Sequence, residues 1–198
     1  MATQYRPLAF HPLSEPTGVF RPRQELPERV KLESPAVMSM TDLRQVSALT
    51  VEPNVSIDHA LTCMKEGGVR LLFVVNPQEE VLGLITSTDI QGEKPLQLLK
   101  ELRMSFDEVL VRDIMTPADS LEVIELAEVM KARVGDVVET LRQSGRRHAL
   151  VVDNDARAGR PAIRGIFSAT LIGKQVGVAI ETVEVASTFA EVGAALAH

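Results

Sequence analysis

One supersecondary unit occurs twice in this chain, and that repetition restricts the possible folds more than any other feature. The octet GLITSTDI at 83–90 returns as GIFSATLI at 165–172, and each octet closes a longer series in the same order. In the first copy, SIDHALTCMKEGG places Ile57, Ala60, Leu61 and Met64 on one helical face and stops at a glycine pair. VRLLFVVN then reads as a strand, residues 77–80 as a turn and EVLGLIT as the second strand of a hairpin. In the second copy, VGDVVETLRQSG offers Val134, Val137, Val138 and Leu141 as the helical face, RRHALVVD as the first strand and AIRGIFS as the next. The turn between them, NDARAGRP, is longer and rich in breakers. Two copies of one unit imply a pseudo-symmetric pair rather than two unrelated domains.

Composition agrees with an α/β (α+β) class. The 198 residues suffice for a sizeable core, and 45% of them are hydrophobic. Only 4% are aromatic and none is Trp, so most of the core must be Val, Leu, Ile, Ala and Met. That favours short β-branched strands beside Leu- and Ala-rich helices.

The flanking segments are less regular. Pro7, Pro12, Pro16, Pro22, Pro27 and Pro35 make residues 1–36 an extended or disordered arm, with Leu8, Phe10, Val19 and Phe20 available to lie along the body. Periodic structure is expected from Ala36. A strand at 49–51 leads into the first helix, whereas the segment 121–130 ahead of the second reads as either strand or helix. Between the copies, a helix is expected over 96–102 and another after Ser105, whose hydroxyl pairs with Glu108 in a capping box. Gly92 and Pro95 interrupt whatever helix Asp89 starts. After residue 178 comes a tail with a short amphipathic helix capped by Ser187 and carrying Phe189, Val192 and Leu196.

The octets carry the most specific chemistry. Thr86 follows a strand, and an acid stands three residues later at Asp89, which is the pattern of a helix N-terminus closed by a capping box. A hydroxyl and free N–H groups at a helix start also make an anion site, so both readings stay open. In the second octet the acid is replaced by Leu171.

These units, with DIMTP ahead of the second, resemble a tandem pair of CBS motifs, a Bateman module, over residues 37–178. The resemblance implies one β-α-β-β-α motif over 37–110, with connecting helices, and another over 111–178, packed sheet to sheet with two clefts between them and assembling as a homodimer. It further implies a regulatory ligand containing adenosine (AMP, ADP, ATP or S-adenosylmethionine), no required cofactor, and an effector protein that reads occupancy. The main cleft would be built from Thr86 and Asp89 on the phosphate and ribose, the backbone near Leu84 beside adenine, and Arg70, Val137 and Arg146. The other would use Ser168, Ile166, Arg147, His148, Val55, Ala60 and Val69. A carboxylate suits the two adjacent hydroxyls of a ribose, which Leu171 leaves without an acceptor at a cost of about 1–3 kcal/mol. The Asp89 cleft should therefore bind more strongly than the Leu171 cleft. The alternative is a dimeric interaction scaffold with vestigial clefts. The bland explanation of Arg146 and Arg147 is a solvated strand end, and that of His148 a satisfied core residue.

Other functions find little support. A net charge of −6 argues against nucleic acid or an anionic membrane as partner. The lone Cys63 excludes an internal disulfide and reads as a small apolar helix residue. His11, His59, His148 and His198 are scattered without metal-ligand spacing, and IGKQ at 172–175 lacks the glycine spacing of a P-loop. No enzyme activity and no metal site are expected. No apolar run is long enough to span a bilayer, and the first residues lack a secretory core, so a cytoplasmic location is expected.

Overall fold

Three helices in the computed structural model start at a hydroxyl residue, Ser56, Thr86 or Ser168, and end at a glycine; the structure describes residues 8–10, 12, 15–17, 20, 22–102 and 105–181. The first copy comprises β1 (Thr41–Asp42), β2 (Thr50–Val51), α1 (Ile57–Gly67), β3 (Leu71–Val75), β4 (Val81–Thr86) and α2 (Ser87–Gln91). The connection holds α3 (Glu93–Leu102) and α4 (Val111–Ile114), with a 3-10 turn at Phe106–Glu108 between them. The second copy follows as β5 (Thr116–Pro117), β6 (Val123–Glu125), α5 (Leu126–Val129), α6 (Val134–Ser144), β7 (His148–Asp155), β8 (Arg160–Ser168) and α7 (Ala169–Val176).

At the start of α1, the Ser56 hydroxyl accepts the His59 N–H at 3.2 Å. Gly68 and Gly145 end α1 and α6 in the left-handed region, at φ of 64° and 65°, where a Cβ would be strained. The Ser105–Glu108 box forms, with the Ser105 N–H donating to Glu108 at 2.7 Å. It starts only the 3-10 turn, and α4 then begins at Val111. Pro95 does not break α3, because it stands in the first turn where no N–H is needed.

The two sheets have the same plan. In the first, β2 runs parallel to β3, which pairs antiparallel with β4; in the second, β6, β7 and β8 repeat that arrangement. The fourth strand of each sheet is exchanged. β5, at the head of the second copy, completes the first sheet by pairing Thr116 with Leu84, and β1, at the head of the first, completes the second by pairing Thr41 with Ile166. This exchange accounts for the glycine that opens each octet. A Cβ on Gly83 would collide with the Thr116 carbonyl oxygen, and one on Gly165 would sit 2.6 Å from Met40 Sδ and 3.0 Å from the Thr41 carbonyl oxygen.

Three apolar clusters result. Ile57, Ala60, Met64, Leu72, Val74 and Ile85 pack α1 onto the first sheet, and Val134, Val137, Leu141, Val151 and Phe167 pack α6 onto the second. Leu71, Phe73 and Leu150 join the sheets to each other, with Leu84 and Ile166 packed against them.

Some expectations need correction. Segment 121–130 is both strand and helix: β6 is the counterpart of β2, and α5 is an insertion after it. The second hairpin turn is shorter than NDARAGRP, because β7 continues to Asp155 and β8 begins at Arg160. Leu8, Phe10 and Phe20 do not pack on the body; they are 85%, 100% and 107% exposed. Val19 and the expected helix with Ser187, Phe189, Val192 and Leu196 lie outside the described residues.

From Gln24 onward the arm is part of the second half. Val30 is buried in its core, and its N–H donates to the Gln175 carbonyl at 3.1 Å. The Gln175 side chain returns a bond to the Pro27 carbonyl at 2.8 Å. Arm carbonyls also accept N–H groups at the start of α6 that no helical partner can take, Val134 to Ser34 at 2.9 Å and Gly135 to Leu32 at 2.8 Å.

Candidate functional site

Between the sheets runs a groove of about 1220 Å³ lined by both copies. Its apolar part is Leu71, Phe73 and Leu84 from the first copy and Leu150 and Ile166 from the second, the same side chains that join the sheets. The starts of α2 and α7 reach it through Thr86, Ser87, Thr88 and Asp89 on one side and Ser168, Thr170 and Leu171 on the other.

Most of the anticipated residues meet at this groove. Leu84, Thr86, Asp89, Arg70 and Arg146 line it, as do Ser168, Ile166, Arg147, His148 and Val69. Val137, Ala60 and Val55 do not. Val137 is 4% exposed in the second core and Ala60 is fully buried in the first, because the inner faces of α1 and α6 are spent on their own sheets, and Val55, just ahead of the α1 cap, packs against the first core. Lys174 and Thr170, which sequence reasoning did not select, also line the groove. Lys174 lies on α7, whose cap is Ser168, so helix periodicity from the octet was the available signal.

The capping box at Asp89 is formed. One carboxylate oxygen accepts the Thr86 N–H at 2.9 Å and the Thr86 hydroxyl at 2.7 Å, while the Asp89 N–H donates to that hydroxyl at 3.2 Å. The other oxygen accepts Lys94 Nζ at 3.0 Å, and the same ammonium donates to the Ile114 carbonyl at 3.2 Å. Of roughly four lone-pair sites on an ionised carboxylate, three are taken inside the chain. In the second copy only the bond from the Leu171 N–H to the Ser168 hydroxyl remains, at 3.5 Å.

Positive charge gathers where the copies meet. Arg70 and Arg147 are pseudo-symmetry mates: the Arg70 carbonyl accepts Ser87 N–H at 3.0 Å, and the Arg147 carbonyl accepts Ala169 N–H at 2.9 Å. Arg146 is held to Glu122 at 3.0 Å. Arg70, Arg147 and Lys174 make no ion pair among the described residues. His148 titrates below the ordinary imidazole range, chiefly because burial disfavours its charged form and further because Arg147 and Arg70 repel it.

Among the described residues no group of three or more His, Cys, Asp or Glu side chains is placed to hold a metal ion. Cys63 is half-buried on α1 with its Sγ 3.5 Å from His59 Nε2. No helix among the described residues is long and apolar enough to cross a membrane.

Comparison with known proteins agrees with this architecture. Residues 40–93 match the family model of the CBS domain. An uncharacterized conserved protein from Pyrococcus horikoshii is similar in structure with a TM-score of 0.51 and 23% identity, over 72% of this chain and 92% of that one. A CBS-domain containing protein from Agrobacterium tumefaciens gives a TM-score of 0.50 and 21% identity, over 67% of this chain and 87% of that one. A curated homoserine O-acetyltransferase from Methanosalsum zhilinae is 28% identical over 87 residues, 43% of this chain, and the match spans only 17% of that protein's length. The first copy is thus a CBS domain by its sequence, and together with the second, which repeats its sheet and exchanges an edge strand with it, it gives the chain the fold of a tandem CBS pair.

Proposed function

We propose that the chain is a cytoplasmic, non-catalytic regulatory module whose groove binds an adenosine-containing ligand, AMP, ADP, ATP or S-adenosylmethionine, and reports occupancy to a separate effector protein. The observation that carries this reading is the groove itself. Leu84 and Ile166 offer an apolar seat for a base, hydroxyl-capped helix starts lie on either side, and Arg70, Arg147 and Lys174 bring charge that no ion pair among the described residues neutralises. The ribose is assigned to Asp89, so the half of the groove around Leu171 binds more weakly. Occupancy acts by favouring one relative packing of the two sheets, or of two subunits in a homodimer, over another.

A thermal-shift screen of the full chain with ATP, ADP, AMP and S-adenosylmethionine at millimolar concentration tests the reading. Stabilisation by at least one is expected, and no stabilisation by any overturns it. The internal bonds of Asp89 favour a second reading, an interaction scaffold in which this carboxylate serves only as a cap. Under that reading Asp89→Ala lowers the melting temperature and changes no ligand response.

A further inference from the structure

We propose that anion binding in the groove is coupled to uptake of a proton by His148, an inference that rests on reading the groove as a site for an anionic ligand. His148 is the first residue of β7 and lines the groove beside its antiparallel ladder partner Ser168, the cap of α7. Arg147 precedes it in the chain, and Arg70 lines the same groove from the other copy, so the imidazole shares the cavity with two pseudo-symmetric arginines. The other charged groups on the groove are Lys174 from α7, Arg146 with its partner Glu122, Glu66 from the end of α1, and Asp89 from α2, itself tied to Lys94.

In the free protein, burial and the two guanidinium groups together favour neutral imidazole. An anion held by Arg70 and Arg147 cancels their repulsion and offers the protonated ring an acceptor, leaving burial as the only opposing influence. The anion therefore raises the pKa of His148, and by linkage protonation of His148 strengthens anion binding by the same factor. The sign is fixed: this contribution to binding is absent well above the pKa of the bound state, grows as pH falls through that value, and is complete below the pKa of the free state.

Imidazole resonances of the full chain, titrated from pH 5 to 8 free and saturated with ATP, and separately with tripolyphosphate, provide the test. His148→Gln identifies the resonance among the four histidines. The expected result is a His148 midpoint below that of an ordinary imidazole in the free protein, rising by about one pH unit with either anion. Arg147→Gln should raise the free midpoint and shrink the rise. If ATP binds and the midpoint does not move, the coupling is overturned while the groove reading stands. If tripolyphosphate moves the midpoint and none of ATP, ADP, AMP or S-adenosylmethionine binds, the coupling stands and the adenosine reading falls. If neither anion binds, the coupling is overturned, and the adenosine reading falls with it when ADP, AMP and S-adenosylmethionine also fail to stabilise the chain.

Discussion

Gln24 and Asp42 are joined by a hydrogen bond in which the Asp42 backbone N–H donates to the Gln24 side-chain carbonyl at 2.7 Å. The same carboxamide donates to the Met40 carbonyl at 3.0 Å. One side chain from the arm thus makes the two bonds that a further strand would have made to the open edge of β1. Gln24→Ala should cost about 1–2 kcal/mol in urea unfolding, since it leaves two partly buried backbone groups without partners. Gln24→Glu keeps the acceptor for Asp42 and loses the donor to Met40, so its cost should be comparable.

The other side of Asp42 faces Arg164. Burial pushes the Asp42 carboxyl up, but hydrogen bonds from the Arg164 side chain, the Arg44 N–H and Gln45, together with the Arg164 charge, outweigh it and hold the pKa below the usual carboxylate value. With the folded value below the unfolded one, the stabilisation is complete above the unfolded pKa of about 4 and is lost as pH falls through the folded value. Asp42→Asn should therefore flatten the fall in stability below about pH 4 in acid-titrated denaturation curves. Arg164→Leu should cost roughly 3 kcal/mol or more at pH 7, since it strands a buried carboxylate.

Gly83 and Gly165 occupy equivalent places but face different obstacles. The obstacle at Gly83 is backbone, the Thr116 carbonyl, whereas Gly165 meets chiefly the Met40 side chain. Both alanine variants should be destabilised, Gly83→Ala by about 2–3 kcal/mol and Gly165→Ala by less, because a methionine can change rotamer and a paired strand cannot step aside. Equal melting temperatures for the two variants would contradict this account.

Lys94 holds the oxygen of Asp89 that is not committed to Thr86. If ribose hydroxyls bind that carboxylate, Lys94→Met should free an acceptor site and tighten ATP binding several-fold, while Asp89→Ala should weaken it by about tenfold or more. Ser168→Ala should have the smaller effect. Calorimetric titration of the three variants gives the order, and a larger loss for Ser168→Ala would move the ribose to the other half of the groove.

Local pattern made the helices and hairpins legible, because residues such as Ile57, Met64, Val134 and Leu141 recur at helical spacing and glycines follow each run. Features caused by distant parts of the chain were hidden. The octet glycines were visible, but their reason is Thr116 and Met40, far away in sequence. The 121–130 segment resisted a decision because it holds two short elements, and the docking of the arm runs largely through backbone carbonyls, which leave no trace in residue type. At the candidate site, helical periodicity had already placed Ala60 and Val137 on core-facing stripes; the family resemblance drew them toward the groove, and the structure returns them to the cores.

The exchanged edge strands give the chain the topology of a swapped dimer whose two members are covalently joined. Residues 92–115 are the tether. A pair assembled from separate motifs would dissociate on dilution, whereas the tether sets a fixed local concentration of each half for the other, in the millimolar range or above for a connection this short. The groove is therefore present at any protein concentration, so its response can track the level of its ligand without tracking the level of the protein.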